Sequence, residues 1–205
     1  LVMAKLSTYV EQLTSTLGAV VDTSVGTGTA SIVSSAFQIY SGSTGTDRGR
    51  ANVPGSFGGD IDESEVYFEI TALPTAGICD ITVSDSGENG YQMRLTSTQW
   101  TLSRMVGGST TTLSGPTTWS AGSHKWLRVR EASGTTFFEF APDSGSGAPG
   151  TWASVYSEAT TSSGWTHTAV DVKWVSFFAA GEGTSRDRYL NSQAPVVRRF
   201  ILVRP

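Results

Sequence analysis

KWLRVRE at residues 125–131 and YQMRL at residues 91–95 alternate two kinds of side chain with a period of two. In the first stretch, Leu127 and Val129 fall on one side, opposite the tryptophan and the two arginines. In the second, the tyrosine, methionine and leucine oppose the glutamine and the arginine. Such alternation is typical of antiparallel strands with one buried and one solvated face. It therefore predicts two sheets packed on a common core.

The same period continues outward from these two stretches. It predicts strands at 31–33, 36–40, 65–71, 79–83, 91–95, 99–106, 110–113, 125–131, 135–141, 152–157, 170–179 and 196–203. Turn sequences separate almost every pair, for example SGENG at 86–90 and SGSG at 144–147. Many short strands joined by Gly-bearing turns are typical of sandwiches and barrels. We therefore predict an all-β fold, a two-sheet antiparallel β-sandwich of the jelly-roll kind, over residues 31–205.

Residues 1–30 are predicted to be a lead-in segment, because a different period appears there. Leu6, Val10, Leu13 and Leu17 are spaced by four, three and four residues, as on one face of a helix. Gly18 would end such a helix. The Ser, Thr and β-branched residues between them disfavour helical structure. A short N-terminal helix and an irregular lead-in therefore both stay open.

Charge and composition exclude several classes of function. The net charge of -4 does not suit a nucleic-acid backbone, which attracts a basic surface. Cys79 is the single cysteine, so an intrachain disulfide is excluded and secretion through an oxidising compartment is not supported. No stretch reaches the roughly 20 apolar residues of a membrane-spanning helix. The first residues lack a signal-peptide pattern. We therefore expect a soluble chain with neither nucleic-acid partner nor membrane insertion.

The most distinctive pattern runs from residue 124 to residue 152. HKWLRVRE at 124–131 is followed by TFFEFAPD at 136–143, a Gly-rich loop and Trp152. This pattern resembles the concanavalin-A-like (laminin-G-like) jelly-roll domains of minor tail proteins in phages of actinobacteria. Residues 65–73 and 196–203 are similar to the early and closing strands of those domains. The loop before Trp152 departs from the pattern, because it is longer than the usual tight turn.

The resemblance implies a phage virion component, a minor tail or fibre protein, that in most family members catalyses nothing. Its implied partners are a cell-surface carbohydrate of the host and other virion proteins, and it is compatible with a homo-oligomer. Such a protein is assembled in the host cytoplasm and released by lysis into the extracellular virion. It needs neither a signal peptide nor a disulfide. A purely structural assembly module that binds no sugar is the first alternative.

Two groups of side chains are candidates for carbohydrate binding. Exposed aromatic rings stack on sugars, and three tryptophans have polar or Gly-rich neighbours; they are Trp100, Trp119 and Trp165. Three arginines are expected on the wet face, where they would line a polar groove; they are Arg94, Arg128 and Arg130. The alternatives are that the tryptophans pack on their own sheets and that the arginines form a cross-strand charge ladder with Glu69 and Glu139.

An acidic run at residues 60–65, DIDESE, is close to the E-x-D-x-x-E signature of laminarinase-type glycosidases. In those enzymes two carboxylates act as nucleophile and acid/base. Asp60 stands where the nucleophilic glutamate should be, and the run lies early in the chain. We therefore predict no catalytic residue, no metal and no cofactor. A laminarinase-type hydrolase and a Ca²⁺ site at Asp60, Asp62 and Glu63 stay as alternatives.

Overall fold

The segments with a period of two form antiparallel strands in a computed structural model of the chain. The structure describes residues 7–12, 21–22, 28–33, 36–40, 49–53, 65–70, 73, 78–85, 87–145, 147–164, 171–177 and 197–204, with side chains at 28–29, 69–70, 73, 78–85, 87–145 and 147–164. In chain order the strands are β1 (Ser7–Gln12), β2 (Val21–Asp22), β3 (Thr29–Val33), β4 (Ala36–Tyr40), β5 (Gly49–Val53), β6 (Glu65–Ile70), β7 (Ile78–Ser84), β8 (Gly90–Leu95), β9 (Gln99–Val106), β10 (Ser109–Thr118), β11 (Trp126–Ala132), β12 (Thr135–Ala141), β13 (Ala153–Ala159), β14 (Asp171–Phe177) and β15 (Val197–Arg204).

These strands divide between two sheets. The eight-stranded sheet has the order β13-β12-β11-β6-β15-β4-β3, with β1 paired to β15. The seven-stranded sheet has the order β10-β9-β8-β7-β14-β5-β2. The closing strand β15 lies between the early strands β6 and β4, and β14 lies between β7 and β5. The sandwich is therefore held together by pairings between distant parts of the chain.

The core lies between the inner faces of the two sheets. Leu127, Val129 and Phe138 of the eight-stranded sheet meet Ile81 and Met93 of the seven-stranded sheet around a small apolar cavity. All five side chains are buried. Alternation on each strand then directs the intervening polar residues to the outer faces. The inner and outer faces predicted for 125–131 and 91–95 are thus confirmed.

Most strand predictions are confirmed, and Gln99–Val106 and Thr135–Ala141 match residue by residue. The two alternatives left open for the N-terminal segment, a short helix and an irregular lead-in, are both wrong for Ser7–Gln12, which is a strand that pairs antiparallel with β15. Its β-branched and hydroxyl-bearing residues suit a strand. Thr110–Leu113 was predicted too short, since β10 continues to Thr118.

Helical structure is confined to two short pieces within the described residues. One turn of α-helix, α1, covers Ala121–His124, and a 3-10 turn covers Thr160–Ser163. Neither is long and apolar enough to cross a membrane, and the same holds for every helix in the described ranges. Both helical turns lie in connections between strands. A site would therefore be built on the faces of the strands.

Candidate functional site

Strands β7, β8 and β9 carry a row-by-row array of polar side chains on the outer side of the seven-stranded sheet. In one row Asp80 pairs with Arg94, which pairs with Thr101 on the next strand. In the adjacent row Thr82, Gln92 and Ser103 are paired in the same way. The residues between them on each strand point into the core. We call these six residues the polar face.

The polar face is sheltered from water although it lies outside the core. Asp80, Thr82 and Ser103 are only 3%, 6% and 7% exposed. Small polar side chains on a solvated sheet face are usually far more exposed. Hydrogen-bonding groups that are already withdrawn from water and held in register lose little order when a polar ligand binds. The groups of the polar face that a ligand could contact are therefore Gln92, Arg94 and Thr101, and the buried ones can only hold these in place.

A hydrogen-bonded network fixes the centre of the polar face. Arg94 donates from Nε to Oδ1 of Asp80 and from Nη2 to Oδ2, both at 2.8 Å. Gln92 donates from Nε2 to the same Oδ2 at 3.1 Å. Burial raises the pKa of Asp80, and the bonds from Arg94 offset that effect only in part. The bonds to Asp80 in turn raise the pKa of Arg94.

The next row along the strands pairs Ser84 with Gly90. Ser84 is fully buried, and its hydroxyl has no hydrogen-bond partner among the described residues. Gly90 has a φ of 152°, and a Cβ there would lie 2.3 Å from the carbonyl oxygen of Val83. Strand β8 therefore approaches β7 more closely here than any other residue type would permit.

The three arginines predicted to share one face lie on two sheets, so this prediction is wrong for Arg94. Arg94 is on β8 of the seven-stranded sheet, whereas Arg128 and Arg130 are on β11 of the eight-stranded sheet. Alternation within a strand shows which residues lie on the same side of that strand, but it does not show which strands share a sheet. Arg94 belongs to the polar face, and the other two arginines point outward on the opposite side of the sandwich.

Arg128 and Arg130 form the predicted cross-strand ladder with Glu139. Nε of Arg128 donates to Oε2 of Glu139 at 2.7 Å, and Nη2 of Arg130 donates to Oε1 at 3.2 Å. Each guanidinium also lies over an aromatic ring, Arg128 over Trp152 at 4.2 Å and Arg130 over Phe137 at 4.3 Å. The charges and ring faces of this ladder are therefore largely used by contacts within the protein.

Glu69 lies outside this ladder. Its Oε1 is 3.5 Å from Nζ of Lys125, which also forms an ion pair with Asp143. Asp143 in turn accepts bonds from the backbone N–H groups of Gly145 and Gly147. These contacts fix the loop that follows β12, so Glu69 stabilises this loop and has no direct link to Arg128.

The tryptophans do not form one exposed platform. The prediction that Trp100 is exposed is wrong, because it is buried and its ring packs 5.0 Å from Phe140. Trp119 is half-buried, and its Nε1 donates to the carbonyl oxygen of His124 at 3.0 Å. Trp165 lies outside the described residues. Trp100 is buried because it lies two residues before Leu102 on β9, so both side chains point to the inner face of the sheet.

The acidic run at residues 60–65 cannot be placed relative to the polar face, because the structure describes only the backbone of its last residue. Asp60, Asp62 and Glu63 lie outside the described residues, so the calcium alternative stays untested. Over the part of the chain that the structure describes, no group of three or more His, Cys, Asp and Glu side chains could hold a metal ion.

Sequence reasoning did not predict five members of the polar face as site residues: Asp80, Thr82, Gln92, Thr101 and Ser103. Along β7, Asp80 and Thr82 alternate with Cys79, Ile81 and Val83. That alternation was the available signal. Their exact register with β8 was not available from the sequence, because it depends on the turn at 85–89.

Comparisons with known proteins give no family by sequence, since neither a protein-family profile nor a curated protein matches the chain. Solved structures do match. The transglycosylase Crh5, solved in complex with NAG, has a TM-score of 0.60 at 11% identity, covering 98% of this chain and 85% of that one. The basic winged bean lectin, solved with Tn-antigen, has 0.56 at 13%, covering 96% and 97%. The exoplasmic/lumenal domain of VIP36, in a Ca²⁺/Man3GlcNAc-bound form, has 0.56 at 10%, covering 92% and 84%.

At such low identities these likenesses show the fold alone. The two-sheet topology and the lectin neighbours together define the chain as a lectin-like β-sandwich of the concanavalin-A-like jelly-roll class. This confirms the predicted fold. The same architecture carries lectins and enzymes alike, so function has to be argued from the polar face itself.

Proposed function

We propose that this chain is a non-catalytic carbohydrate-binding module, and that its binding site is the polar face. The observation that carries the proposal is the sheltered array of carboxylate, guanidinium, amide and hydroxyl groups in paired rows. Sugars are recognised through multiple hydroxyl groups, each of which both donates and accepts hydrogen bonds. An array with both donors and acceptors at fixed spacing matches that chemistry. The lectins of the same fold support the assignment.

The dimensions of the polar face agree with an oligosaccharide. Neighbouring strands of a sheet are about 4.8 Å apart, so a row across β7, β8 and β9 extends over about 10 Å. Thr112 of β10 continues the second row, because it pairs with Ser103. A ligand lying across the strands would then meet the accessible side chains of Gln92 and Thr112, while Thr82 and Ser103 of the same row are buried. Specificity would come from which hydroxyls face Arg94 and Gln92.

The carboxylate chemistry supports binding over hydrolysis. Glycoside hydrolysis needs two carboxyl groups on either side of the scissile bond, one of them able to give up a proton. Within β7, β8 and β9, Asp80 is the one carboxylate on the polar face, and both of its oxygens accept bonds from Arg94 or Gln92. A carboxylate held in this way is suited to orienting its neighbours.

A glycan array with matched variants tests the proposal. Arg94→Gln removes a paired guanidinium from the polar face, and Arg130→Gln removes a paired guanidinium from the opposite sheet. We expect the first to weaken glycan binding about tenfold or more, since one or two charge-assisted hydrogen bonds are lost. The second should bind like the unmodified chain. Thermal unfolding of both variants checks that each is folded.

The opposite pattern, with binding lost on Arg130→Gln and kept on Arg94→Gln, would move the site to the ladder of Arg128, Arg130 and Glu139. If the unmodified chain binds no glycan on the array, the proposal of carbohydrate binding is refuted. An isosteric change on the polar face, Thr101→Val, refines the map, because it removes a partly exposed hydroxyl and keeps the shape of the side chain.

We further propose that the module belongs to a phage virion, as a minor tail or fibre component that binds a carbohydrate on the surface of the host cell. The resemblance of residues 124–152 to tail-protein domains supports this assignment. The test is an antibody against the chain applied to purified virions, together with a pull-down on host cell walls. Signal in the virion fraction without wall binding would favour the purely structural module. Absence from virions would refute the assignment.

A further inference from the structure

Residues 119–124, which lie between β10 and β11, close on themselves, and we call them the corner. The backbone N–H of Trp119 donates to the carbonyl oxygen of Thr98 at 2.9 Å, which fixes the start of the corner. The backbone N–H of His124 donates to the carbonyl oxygen of Ser120 at 2.7 Å. Nε1 of Trp119 donates to the carbonyl oxygen of His124 at 3.0 Å. The two ends of the corner are therefore joined through His124.

The imidazole ring of His124 completes the corner as a hydrogen-bond acceptor. The backbone N–H of Ser120 donates to Nδ1 at 2.9 Å, and Oγ of Ser123 lies 3.3 Å from the same nitrogen. A backbone N–H can only donate, so Nδ1 has to carry a lone pair, and the ring is neutral with its proton on Nε2. The corner is therefore compatible with one protonation state of this histidine.

Two aromatic side chains of the core pack against the same ring. Phe140 of β12 lies edge to face with His124, with ring centroids 4.7 Å apart, and Trp100 of β9 lies at 6.1 Å. Both of these residues are buried. Apolar surroundings disfavour a charged imidazolium, and burial lowers the pKa of His124.

The charged side chains described on the elements around the ring are engaged elsewhere. Strand β10 and helix α1 carry no Asp, Glu, Lys or Arg. The one charged residue of β9, the one of β12 and the lysine that follows the corner each form an ion pair. An imidazolium in the corner would therefore have no ion-pair partner among the described residues. The pairs are Arg104–Glu158, Arg128–Glu139 and Lys125–Asp143.

We propose that the corner is a pH-sensitive switch, closed when His124 is neutral and released when its imidazole is protonated. A proton on Nδ1 places two donors against each other, so the bond from the backbone N–H of Ser120 is lost. The hydroxyl of Ser123 can rotate and accept from the same nitrogen, which gives the protonated ring a different partner. A charged ring also no longer suits the apolar contacts with Phe140 and Trp100. The switch is independent of carbohydrate binding at the polar face.

Release of the corner also affects Trp119, which is half-buried in the closed state. Its Nε1 is bonded to the carbonyl oxygen of His124, so displacement of that residue removes the bond. The closed state is fully stabilised above the pKa of a solvated histidine, about 6.5, and loses this stability as the pH falls through the lower pKa of the closed state. Acid therefore exposes an indole ring that is sheltered at neutral pH.

Hydrogen exchange at the backbone amide of Ser120 measures the bond to His124. After correction for the intrinsic pH dependence of exchange, protection of this amide at pH 8 should exceed that at pH 5 at least about tenfold. Amides of the central strand β8 should keep their protection at both pH values. Equal protection of Ser120 at the two pH values would overturn the switch. Loss of protection in β8 together with Ser120 would overturn it as well, because the corner would then not open on its own.

His124→Asn is the matched variant, because Oδ1 of asparagine can accept in place of Nδ1 and does not titrate. Protection of the Ser120 amide should then change less than about twofold over the same range, and a change as large as in the unmodified chain would contradict the switch. If this variant does not fold, nitrogen NMR of the imidazole in the unmodified chain decides. A proton on Nε2 alone at pH 8, with a titration midpoint that coincides with the loss of Ser120 protection, supports the switch. A proton on Nδ1 at pH 8, or a separate midpoint, overturns it.

Acrylamide quenching of tryptophan fluorescence follows the release of Trp119. Quenching should increase from pH 8 to pH 5 in the unmodified chain, and this increase should be absent in Trp119→Phe. Thermal unfolding checks that the variant is folded. An increase of the same size in folded Trp119→Phe would show that other tryptophans respond to acid, and would overturn the release of Trp119.

Discussion

Glu139 is the shared acceptor of two arginines, so Glu139→Gln is the change that most directly measures the ladder on the eight-stranded sheet. Glu139 is buried, whereas the side chains of Arg128 and Arg130 are 14% and 27% exposed. Glutamine keeps the size of the side chain and one carbonyl oxygen. It removes the negative charge and places an amide donor against a guanidinium. Both guanidinium groups then lose the negative charge of the acceptor that they share.

The size of the effect follows from these contacts. Breaking a fully buried ion pair by removing one partner costs about 3–5 kcal/mol. The partial exposure of both arginines reduces this, because water can solvate the guanidinium groups that lose their partner. Each arginine also keeps its contact with an aromatic ring, Trp152 or Phe137. We therefore expect the free energy of unfolding to fall by about 2–3 kcal/mol.

Urea unfolding followed by tryptophan fluorescence measures this change. Glu88→Gln is the control, because it makes the same chemical change at an exposed turn and should alter stability by less than about 0.5 kcal/mol. A double-mutant cycle with Arg130→Met should give a coupling energy above about 1 kcal/mol, as expected for residues in direct contact. A loss in Glu139→Gln no larger than that of the control, or a coupling energy near zero, would refute the view that the ladder stabilises the sheet.

Two further predictions concern stability. Burial lowers the pKa of His124 in the folded state. The stability linked to this histidine is therefore fully present above the pKa of the unfolded state, about 6.5, and is lost as the pH falls through the lower pKa of the folded state. Unfolding free energies measured from pH 5 to pH 8 should therefore rise with pH in the unmodified chain more than in His124→Asn; equal slopes would contradict this. Gly90→Ala should cost at least about 2 kcal/mol, since its Cβ would clash with the β7 backbone, whereas Gly107→Ala, with open space at its Cβ, should cost only about 1 kcal/mol for its positive φ. Equal losses for the two, in the same urea assay, would count against the close approach of β8 to β7.

Local alternation predicts those parts of the fold whose strands have two different faces. Gln99–Val106 and Thr135–Ala141 are bounded correctly, because apolar and polar residues alternate within them and turn residues flank them. Ser7–Gln12 was missed because the leucines and the valine around it mimic helical spacing. Its strand is determined by pairing with Val197–Arg204 at the other end of the chain. No local pattern contains that information.

Edge position explains the strand that was predicted too short. The predicted strand ends at Leu113, and the sequence Ser114-Gly115-Pro116 that follows contains a proline, which cannot donate to a ladder. β10 is the edge of its sheet, where one side of the strand needs no partner and proline is tolerated. The register with β9 shifts on both sides of Ser114 and then resumes at Thr117. Whether a strand is an edge depends on the order of the whole sheet, which the sequence pattern does not reveal.

The candidate site shows the same limit more sharply. The sequence identified Arg94 as a polar group on a wet face and proposed that it share this face with Arg128 and Arg130. Arg128 and Arg130 lie on the other sheet, and the residues paired with Arg94 are Asp80 of β7 and Thr101 of β9, neither of which was predicted as a site residue. The side of a strand on which a residue lies follows from the local sequence. Which strand lies next to it depends on the fold of the whole chain. Polar residues of a binding face are therefore found only once the strand order is known.

The two outer faces of this sandwich use arginine in opposite ways, and the difference bears on function. On the eight-stranded sheet, two guanidinium groups share the carboxylate of Glu139 and each covers an aromatic ring, so the contacts that could hold a sugar are made within the protein. On the seven-stranded sheet, Arg94 has its carboxylate beneath it and remains substantially exposed, among hydroxyl and amide groups in register. An aromatic platform was the expected means of binding a glycan. Our proposal relies instead on hydrogen bonds from the polar face, for which a rigidly held arginine is better suited than a mobile one.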